Sequence, residues 1–375
     1  MRLQALVTEL AERGCDVRVL TTRPPRWISL PTSHSNETVV RWPVLRDRGG
    51  YVRGYLQYLS YDVPVFFRIL FGSSADVYVV EPPPTTGTVA RWAAWMRRRP
   101  YVYYAADIWS DAAHMTGARA WVVNIVRLLE KFALKGARLN LVVSDGVVER
   151  IEELAPKAKM ISVGHGIDTD LFSPDGRSVA DAADVVYVGT MSEWHGAGIA
   201  VEALAIVMRQ DPDLTAAFIG QGADKDRLAA AATRLGIADR VRFYAPVPAA
   251  DAAAWLRSAR IALATLKPGQ GYDFAVPTKL YAALSVGTPV AYAGPVPLAK
   301  LIREEQLGAS SAYDVEEYAD AIRRLLAVSD GNRQRRLSDW VKGRVSAAAV
   351  AARAADGVLS TVKRRDGTDA PTDGG

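Results

Sequence analysis

Cysteine is nearly missing from this chain: Cys15 is the only one in 375 residues. A single thiol excludes an internal disulfide framework and a cysteine-built zinc site, and it fits a reducing, cytoplasmic setting. No apolar run reaches the ~18 residues that a membrane span needs. The opening MRLQALVTELAERG carries Glu9 and Glu12 and lacks the apolar core of a signal peptide. No metal cluster is visible, so neither a metal nor another cofactor is implied. The dinucleotide fingerprint is also incomplete. Gly220-Gln221-Gly222 follows an apolar run, but no third glycine stands at the G-x-G-x-x-G spacing, which disfavours a NAD-dependent oxidoreductase.

What is present reads as an ordinary globular composition, 49% apolar and 23% charged, and the length suits two domains. The net charge of +5 is unevenly placed. Residues 1–100 hold 14 Lys/Arg against 8 Asp/Glu, while the rest of the chain is close to balanced. Such an excess points to nucleic acid, an anionic membrane or a phosphorylated substrate.

Short β-branched runs alternate with helical stretches. Strands are predicted at Val17–Leu20, Val39–Trp42, Val77–Val80, Tyr101–Tyr104, Leu139–Val143 and Met160–Val163. A second series follows at Val185–Val188, Ala216–Ile219, Val241–Tyr244, Ile261–Ala264 and Pro289–Ala293. Helix-like segments such as Trp121–Lys135, Ile199–Arg209 and Lys225–Leu235 separate them. Near-continuous apolar strands between helices imply parallel sheets covered on both faces, and two such series imply two doubly wound α/β domains. Ser173-Pro174-Asp175-Gly176 marks the seam, and the tail from Asp366 reads as disordered. The N-terminus opens directly with the amphipathic segment Leu3–Arg13. The strand and glycine-rich turn that normally precede such a helix are not there, so the N-terminal domain is expected to lack its first strand.

Several segments, in chain order, resemble the retaining glycosyltransferases of family four, and in particular the branch that builds bacterial surface polysaccharides. They are LVTELAERGCDVRVLTTRPP, ADVYVVEPPPTTG, YVYYAADIWS, LEKFALKGARLNLVVSDGVVERI, VGHGIDTDLFSP, VVYVGTMSEWHGAGIAVEAL, FIGQG and VPTKLYAALSVGTPV. The resemblance covers roughly residues 1–345. It implies a GT-B fold: two Rossmann-like domains facing a cleft, with an acceptor-side domain over 1–170 and a nucleotide-sugar domain over 171–345. A C-terminal helix over 346–365 would return to the N-terminal domain, and 366–375 would form the tail.

The resemblance assigns the donor to Gly189, His195, Gly220, Gly222, Pro277, Thr278 and Lys279. The residues agree physically. Pro277-Thr278 suits a helix start, whose free N–H groups and dipole attract a diphosphate, and Lys279 adds a point charge. His195 stands where the family carries a lysine, so it would serve donor phosphate either protonated or as a neutral hydrogen-bond donor. Asp107, at the end of a parallel strand, is the candidate to accept or orient an acceptor hydroxyl, with His114 in reach and Glu81 on the acceptor side. His165, between two glycines, reads either as a hinge residue or as a site residue. The family's paired glutamates would fall on Phe274 and Ala282, and Ala282 cannot accept hydrogen bonds from a donor ribose. Asp273 is the candidate to compensate.

The implied activity is transfer of a sugar from a nucleotide-sugar to a lipid-linked or glycan acceptor, with retention, by a cytoplasmic hexosyltransferase-type enzyme of cell-envelope polysaccharide biosynthesis. The alternative is a non-catalytic homologue acting as a binding or partner subunit. No nucleic-acid partner is implied. Residues 41–72 add a membrane expectation, since they hold eight of the 32 aromatics and five arginines. Tyr51, Tyr55 and Tyr58 form a helical stripe flanked by Arg46, Arg48 and Arg53, which suits peripheral contact with an anionic inner face.

Overall fold

A computed structural model describes residues 2–24, 36–47, 52, 54–115, 118–270, 273, 275–328 and 330–362. The N-terminal domain opens with α1 (Arg2–Glu12), β1 (Val17–Thr22), β2 (Glu37–Trp42) and α2 (Tyr55–Phe71). It continues through β3 (Tyr78–Val80), α3 (Pro84–Met96), β4 (Tyr101–Ala105), α4 (Trp109–Met115), α5 (Ala120–Gly136), β5 (Leu139–Val142), α6 (Asp145–Leu154) and β6 (Met160–Ser162). All its strand pairs are parallel, but they form two sheets, β1-β2 and β3-β4-β5-β6. Among the described residues no strand joins β1 to β3.

The C-terminal domain has one sheet. Its elements are β7 (Val185–Val188), α7 (Gly198–Gln210), β8 (Ala216–Ile219), α8 (Lys225–Arg234), β9 (Val241–Tyr244), α9 (Ala249–Ser258) and β10 (Ile261–Thr265). They are followed by α10 (Thr278–Ser285), β11 (Val290–Ala293), α11 (Val296–Glu304), β12 (Gly308–Ser311) and α12 (Val315–Ala327). The order β12-β11-β10-β7-β8-β9 is all parallel and places the chain reversal between β7 and β10. Ligands of open α/β sheets bind outside the strand ends at such a reversal. The alanine- and valine-rich strands β8, β10 and β11 are buried throughout, because helices cover both faces.

Two last helices, α13 (Arg333–Arg344) and α14 (Ala347–Ser360), close the chain. Helix α13 packs on α10, whereas α14 leaves the C-terminal domain and packs on α1. Val350, Ala354, Ala355 and Val358 of α14 belong to the N-terminal core, and Arg13 pairs with Asp356 at 2.5 Å. At the crossing, Ile167 N–H donates to Val345 O at 2.8 Å and Ala347 N–H to Ile167 O at 2.7 Å. The two connections between the domains therefore run side by side as one hydrogen-bonded pair. Tail residues 366–375 lie outside the described residues.

Candidate active site

The C-terminal half of the site is built from strand ends that meet a helix start. Gly189 follows β7 at φ +133°, and a Cβ there would stand 3.2 Å from Lys279 Cε. Glycine lets the backbone take that angle and leaves room for Lys279 to lie across the strand end. Gly220 follows β8 at φ +148°, where a Cβ would meet the Gly189 carbonyl at 2.0 Å. The glycines thus serve close approach between the β7 and β8 loops. Gly222 does the same against Met191 O, which also accepts from Asp224 N–H at 3.0 Å.

Pro277, in extended conformation, precedes α10 and offers no side-chain cap. The first N–H groups of the helix are thereby left for a ligand. Thr278 is exposed at this start. Lys279 Nζ donates to the Tyr187 hydroxyl at 2.5 Å and sits 3.9 Å from the centre of its ring. The Tyr187 hydroxyl donates in turn to Thr190 O at 3.0 Å. Burial pushes Lys279 down to about 7. An arriving anion reverses that effect, since an opposite charge favours the protonated amine.

His195 is 7% exposed, stacks on Trp194 with centroids 3.6 Å apart, and shares a hydrogen bond between Nδ1 and Ser192 Oγ at 2.6 Å. Burial, reinforced by the Lys279 charge, lowers it to about 3. Of the two roles open to it, only the neutral one is available near neutrality. His195 does not replace the cation of a lysine.

The N-terminal half of the candidate site brings Glu81 and Asp107 near each other, together with two residues that no motif had assigned a role on this side. Glu81, after β3, lies 3.9 Å from Arg2 at the start of α1. Burial raises its carboxyl, against the nearby Arg2 charge and with that of Asp107. Asp107, after β4, reaches solvent but is raised by the partial desolvation of the strand end and held back by Arg2. Asp107 does not cap α4. Glu130, 1% exposed on α5, takes that place, accepting from Trp109 N–H at 2.6 Å, Ser110 N–H at 3.2 Å and Ser110 Oγ at 2.6 Å. Asp107 is thereby left exposed at the strand end.

His165 belongs to this group. Burial and the Arg2 charge lower it to about 4, and its ring lies 6.3 Å from Tyr281 of α10, linking the two halves. Two glycines flank it, and Arg353 of α14 holds the preceding carbonyl of Val163 at 2.7 and 3.2 Å. His114, in contrast, is exposed along α4, and no hydrogen bond or ion pair ties it to the carboxylates among the described residues.

Three further groups named from the sequence are placed as follows. Ala282 is 8% exposed and packs in the C-terminal core beside Leu280. Asp273 accepts from Gly269 N–H at 2.9 and 3.1 Å, so it closes its own loop. Of the predicted tyrosine stripe only the Tyr58 side chain is described. Tyr58 turns its ring edge to Trp109, with centroids 5.7 Å apart, while Leu56 and Leu59 face solvent. Arg46 donates to Thr22 Oγ1 at 3.1 Å and to the Arg23 carbonyl, so it is tied to its own domain. Tyr51, Arg48, Arg53, Phe274 and the Tyr55 side chain lie outside the described residues.

Two parallel-sheet domains that approach each other where His165, after β6, meets Tyr281 of α10 define the GT-B class. The fold matches sucrose-phosphate synthase from Thermosynechococcus elongatus with a TM-score of 0.69 at 18% identity, over 94% of this chain and 91% of the other. It also matches WaaG, a glycosyltransferase involved in lipopolysaccharide biosynthesis, at 0.67 and 15% identity over 95% of both chains. Anabaena HepE in complex with UDP-glucose matches at 0.66 and 17%, over 92% and 99%.

Residues 1–165 match the family model for a glycosyl transferase 4-like domain, and residues 182–328 match that for glycosyl transferases group 1. Between them the two glycosyltransferase models take in most of the chain. In sequence it resembles D-inositol 3-phosphate glycosyltransferase 1 of Catenulispora acidiphila, 28% identical over 57% of this chain and 52% of the relative. A second such protein of that organism is 30% identical over 52% and 48%. The matches span about half the length of these curated relatives. Among the described residues no helix is long and apolar enough to cross a membrane.

Proposed function

We propose that the protein transfers a sugar from a nucleotide-sugar to a hydroxyl of a lipid-linked or glycan acceptor, with retention at the anomeric carbon. One observation carries the reading. Lys279, with its amine brought to about 7, lies across Gly189 beside an uncapped helix start, and His165 next to Tyr281 of that helix leads on to Asp107 and Glu81.

In the proposed reaction the diphosphate rests on the α10 N–H groups and Lys279. The bond from the anomeric carbon to the diphosphate oxygen breaks, and the negative charge on the leaving group is met by that helix start and amine. The acceptor hydroxyl oxygen bonds to the same carbon on the same face, and Asp107 takes its proton. Partial desolvation at the strand end raises the Asp107 carboxyl, which makes it a better base. His195 contributes as a neutral hydrogen-bonding group. The setting proposed is surface-polysaccharide biosynthesis on the cytoplasmic side of the envelope.

The resemblance favours a second reading, a homologue that binds without transferring, because the family's ribose-binding glutamate would fall on Ala282, whose methyl group cannot accept a hydrogen bond. Calorimetry with UDP and other nucleoside diphosphates, followed by transfer assays with labelled nucleotide-sugars, separates the two. Acceptors would include inositol phosphate and polyprenyl-linked sugars. Nucleotide binding with transfer supports the enzyme, binding without transfer to any acceptor supports the homologue, and no binding overturns both.

A further inference from the structure

Helices α2, α3 and α5 lie side by side in one layer on the N-terminal domain, α2 against α3 and α3 against α5. Their outward faces are apolar. On α2 the exposed side chains are Leu56, Leu59, Val63, Phe67 and Phe71, spaced as one helical stripe. On α3 they are Trp92, Trp95 and Met96, and on α5 Trp121, Ile125 and Leu128. Phe71 is 76% exposed and Trp95 69%. Large side chains of this kind, gathered on adjacent helices, mark an interaction surface rather than scattered surface residues.

The charges on the layer have one sign. The only acids on the three helices are Asp62 and Glu130, and each is 1% exposed. Asp62 bonds Thr86 Oγ1 beneath α3, and Glu130 caps α4. Basic residues stay outside. Lys135 continues the α5 stripe, Lys131 lies one turn before it, and Arg98 follows α3. None of the three has an acidic partner within ion-pair distance among the described residues. At the rim, Arg99 pairs with Asp76 at 3.3 Å.

We infer that this three-helix layer docks the protein on an anionic bilayer surface. Aromatic and aliphatic side chains enter the headgroup and upper acyl region, and the lysines and arginines meet lipid phosphate. The charge pattern decides against a second copy of the chain. A two-fold contact would set the same cationic face against itself, whereas an anionic lipid surface complements it. The layer also lies next to the chemistry, since Tyr58 of α2 touches Trp109, two residues after Asp107. A lipid-borne acceptor would then enter beside the carboxylates. The inference does not depend on which sugar or nucleotide the site takes.

Vesicle flotation with the full chain tests it, using phosphatidylcholine alone and phosphatidylcholine with phosphatidylglycerol, at low and high salt. Binding is expected with the anionic vesicles and should fall as salt rises. Lys131→Glu with Lys135→Glu should weaken it by well over tenfold, since each basic residue is worth roughly fivefold. Phe67→Glu, Trp95→Glu and Leu128→Glu, all at exposed positions, should each weaken it while leaving the melting temperature near the parent's. Quenching of the parent's tryptophan fluorescence by brominated acyl chains reads insertion without any substitution. Absence of both binding and quenching with anionic vesicles at low salt overturns the inference. So does a dimer, seen by light scattering, that the same apolar substitutions dissociate while vesicle binding is unchanged.

Discussion

The two domains share an architecture and distribute their side chains oppositely. The C-terminal domain seals itself: β8, β10 and β11 are buried throughout, and Tyr187, Phe218, Tyr292 and Tyr318 are buried with them. The N-terminal domain splits its strands between two sheets and leaves β1 and β2 half-covered. Among the described residues, thirteen of the 17 exposed large hydrophobic side chains stand before residue 130, so the described apolar surface is a property of one domain and not of the fold. The same domain buries Glu130 and Asp62. Apolar groups outside and acids inside are the reverse of the usual partition, and each inversion has an occupation: the acids order helices, and the apolar residues await a partner.

Four substitutions would break or sharpen this contrast. The largest effect is expected from Glu130→Ala. It removes three hydrogen bonds and leaves the α4 N-terminus uncapped in a buried place, so the N-terminal domain should lose about 3 kcal/mol. Denaturant unfolding followed by tryptophan fluorescence measures it, and a loss below the error of the method would show that α4 is capped otherwise.

Asp107→Asn comes next. Turnover should fall about 100-fold, as for loss of a general base, with nucleotide affinity unchanged. Equal loss of both in calorimetry and initial rates would move Asp107 from the acceptor to the scaffold.

Lys279→Ala should weaken nucleoside-diphosphate binding by about 2 kcal/mol while sparing the N-terminal domain. The pH dependence has a fixed sign. The free amine titrates near 7 and the bound one higher, because the diphosphate favours its charge. The lysine's contribution is therefore complete below pH ~7 and disappears as pH rises through the bound value. Affinity in the parent should decline from pH 6 to pH 9 more steeply than in the variant, and parallel profiles would remove Lys279 from the phosphate.

The smallest effect is expected from Arg353→Ala. It frees the Val163 carbonyl beside the Gly164-His165-Gly166 turn and should cost about 1 kcal/mol of N-terminal stability. Its use is to show whether the turn carrying His165 is set by α14 or by its own glycines.

Much of this contrast could be read from residues alone. Every predicted strand is present within a residue or two, because valine-rich runs of four or five between helices admit little else. The exception is β12. Gly308-Ala309-Ser310-Ser311 carries no β-branched residue, and only its place at the sheet edge, paired to β11, makes it a strand. Glycine and lysine positions around Gly189 and Lys279 were legible through the family resemblance, and their contact is a tertiary fact. Arg2 was illegible as a site residue, since an arginine opening an amphipathic helix has no local mark of facing Glu81. Glu130 did leave a trace, as a lone acid in the apolar and basic stretch Trp121–Lys135. Helical spacing states which residues share a face and not which way that face turns, so it could not show that Tyr58 would meet Trp109.

The path of α14 has a further consequence, for synthesis. Its side chains complete the core beneath α1, and Gly357 lies where a Cβ would stand 2.5 Å from Ile161 and about 3 Å from Leu139 and Leu141. On the ribosome the N-terminal domain emerges first but meets its final wall only after the whole C-terminal domain has been translated. The later domain can thus finish before the earlier one. Contacts between residues 13 and 356 are about as non-local as a chain of this length allows, and closure of this kind is slow. A nascent chain paused after α13 and before α14 holds a finished C-terminal domain and an open N-terminal one.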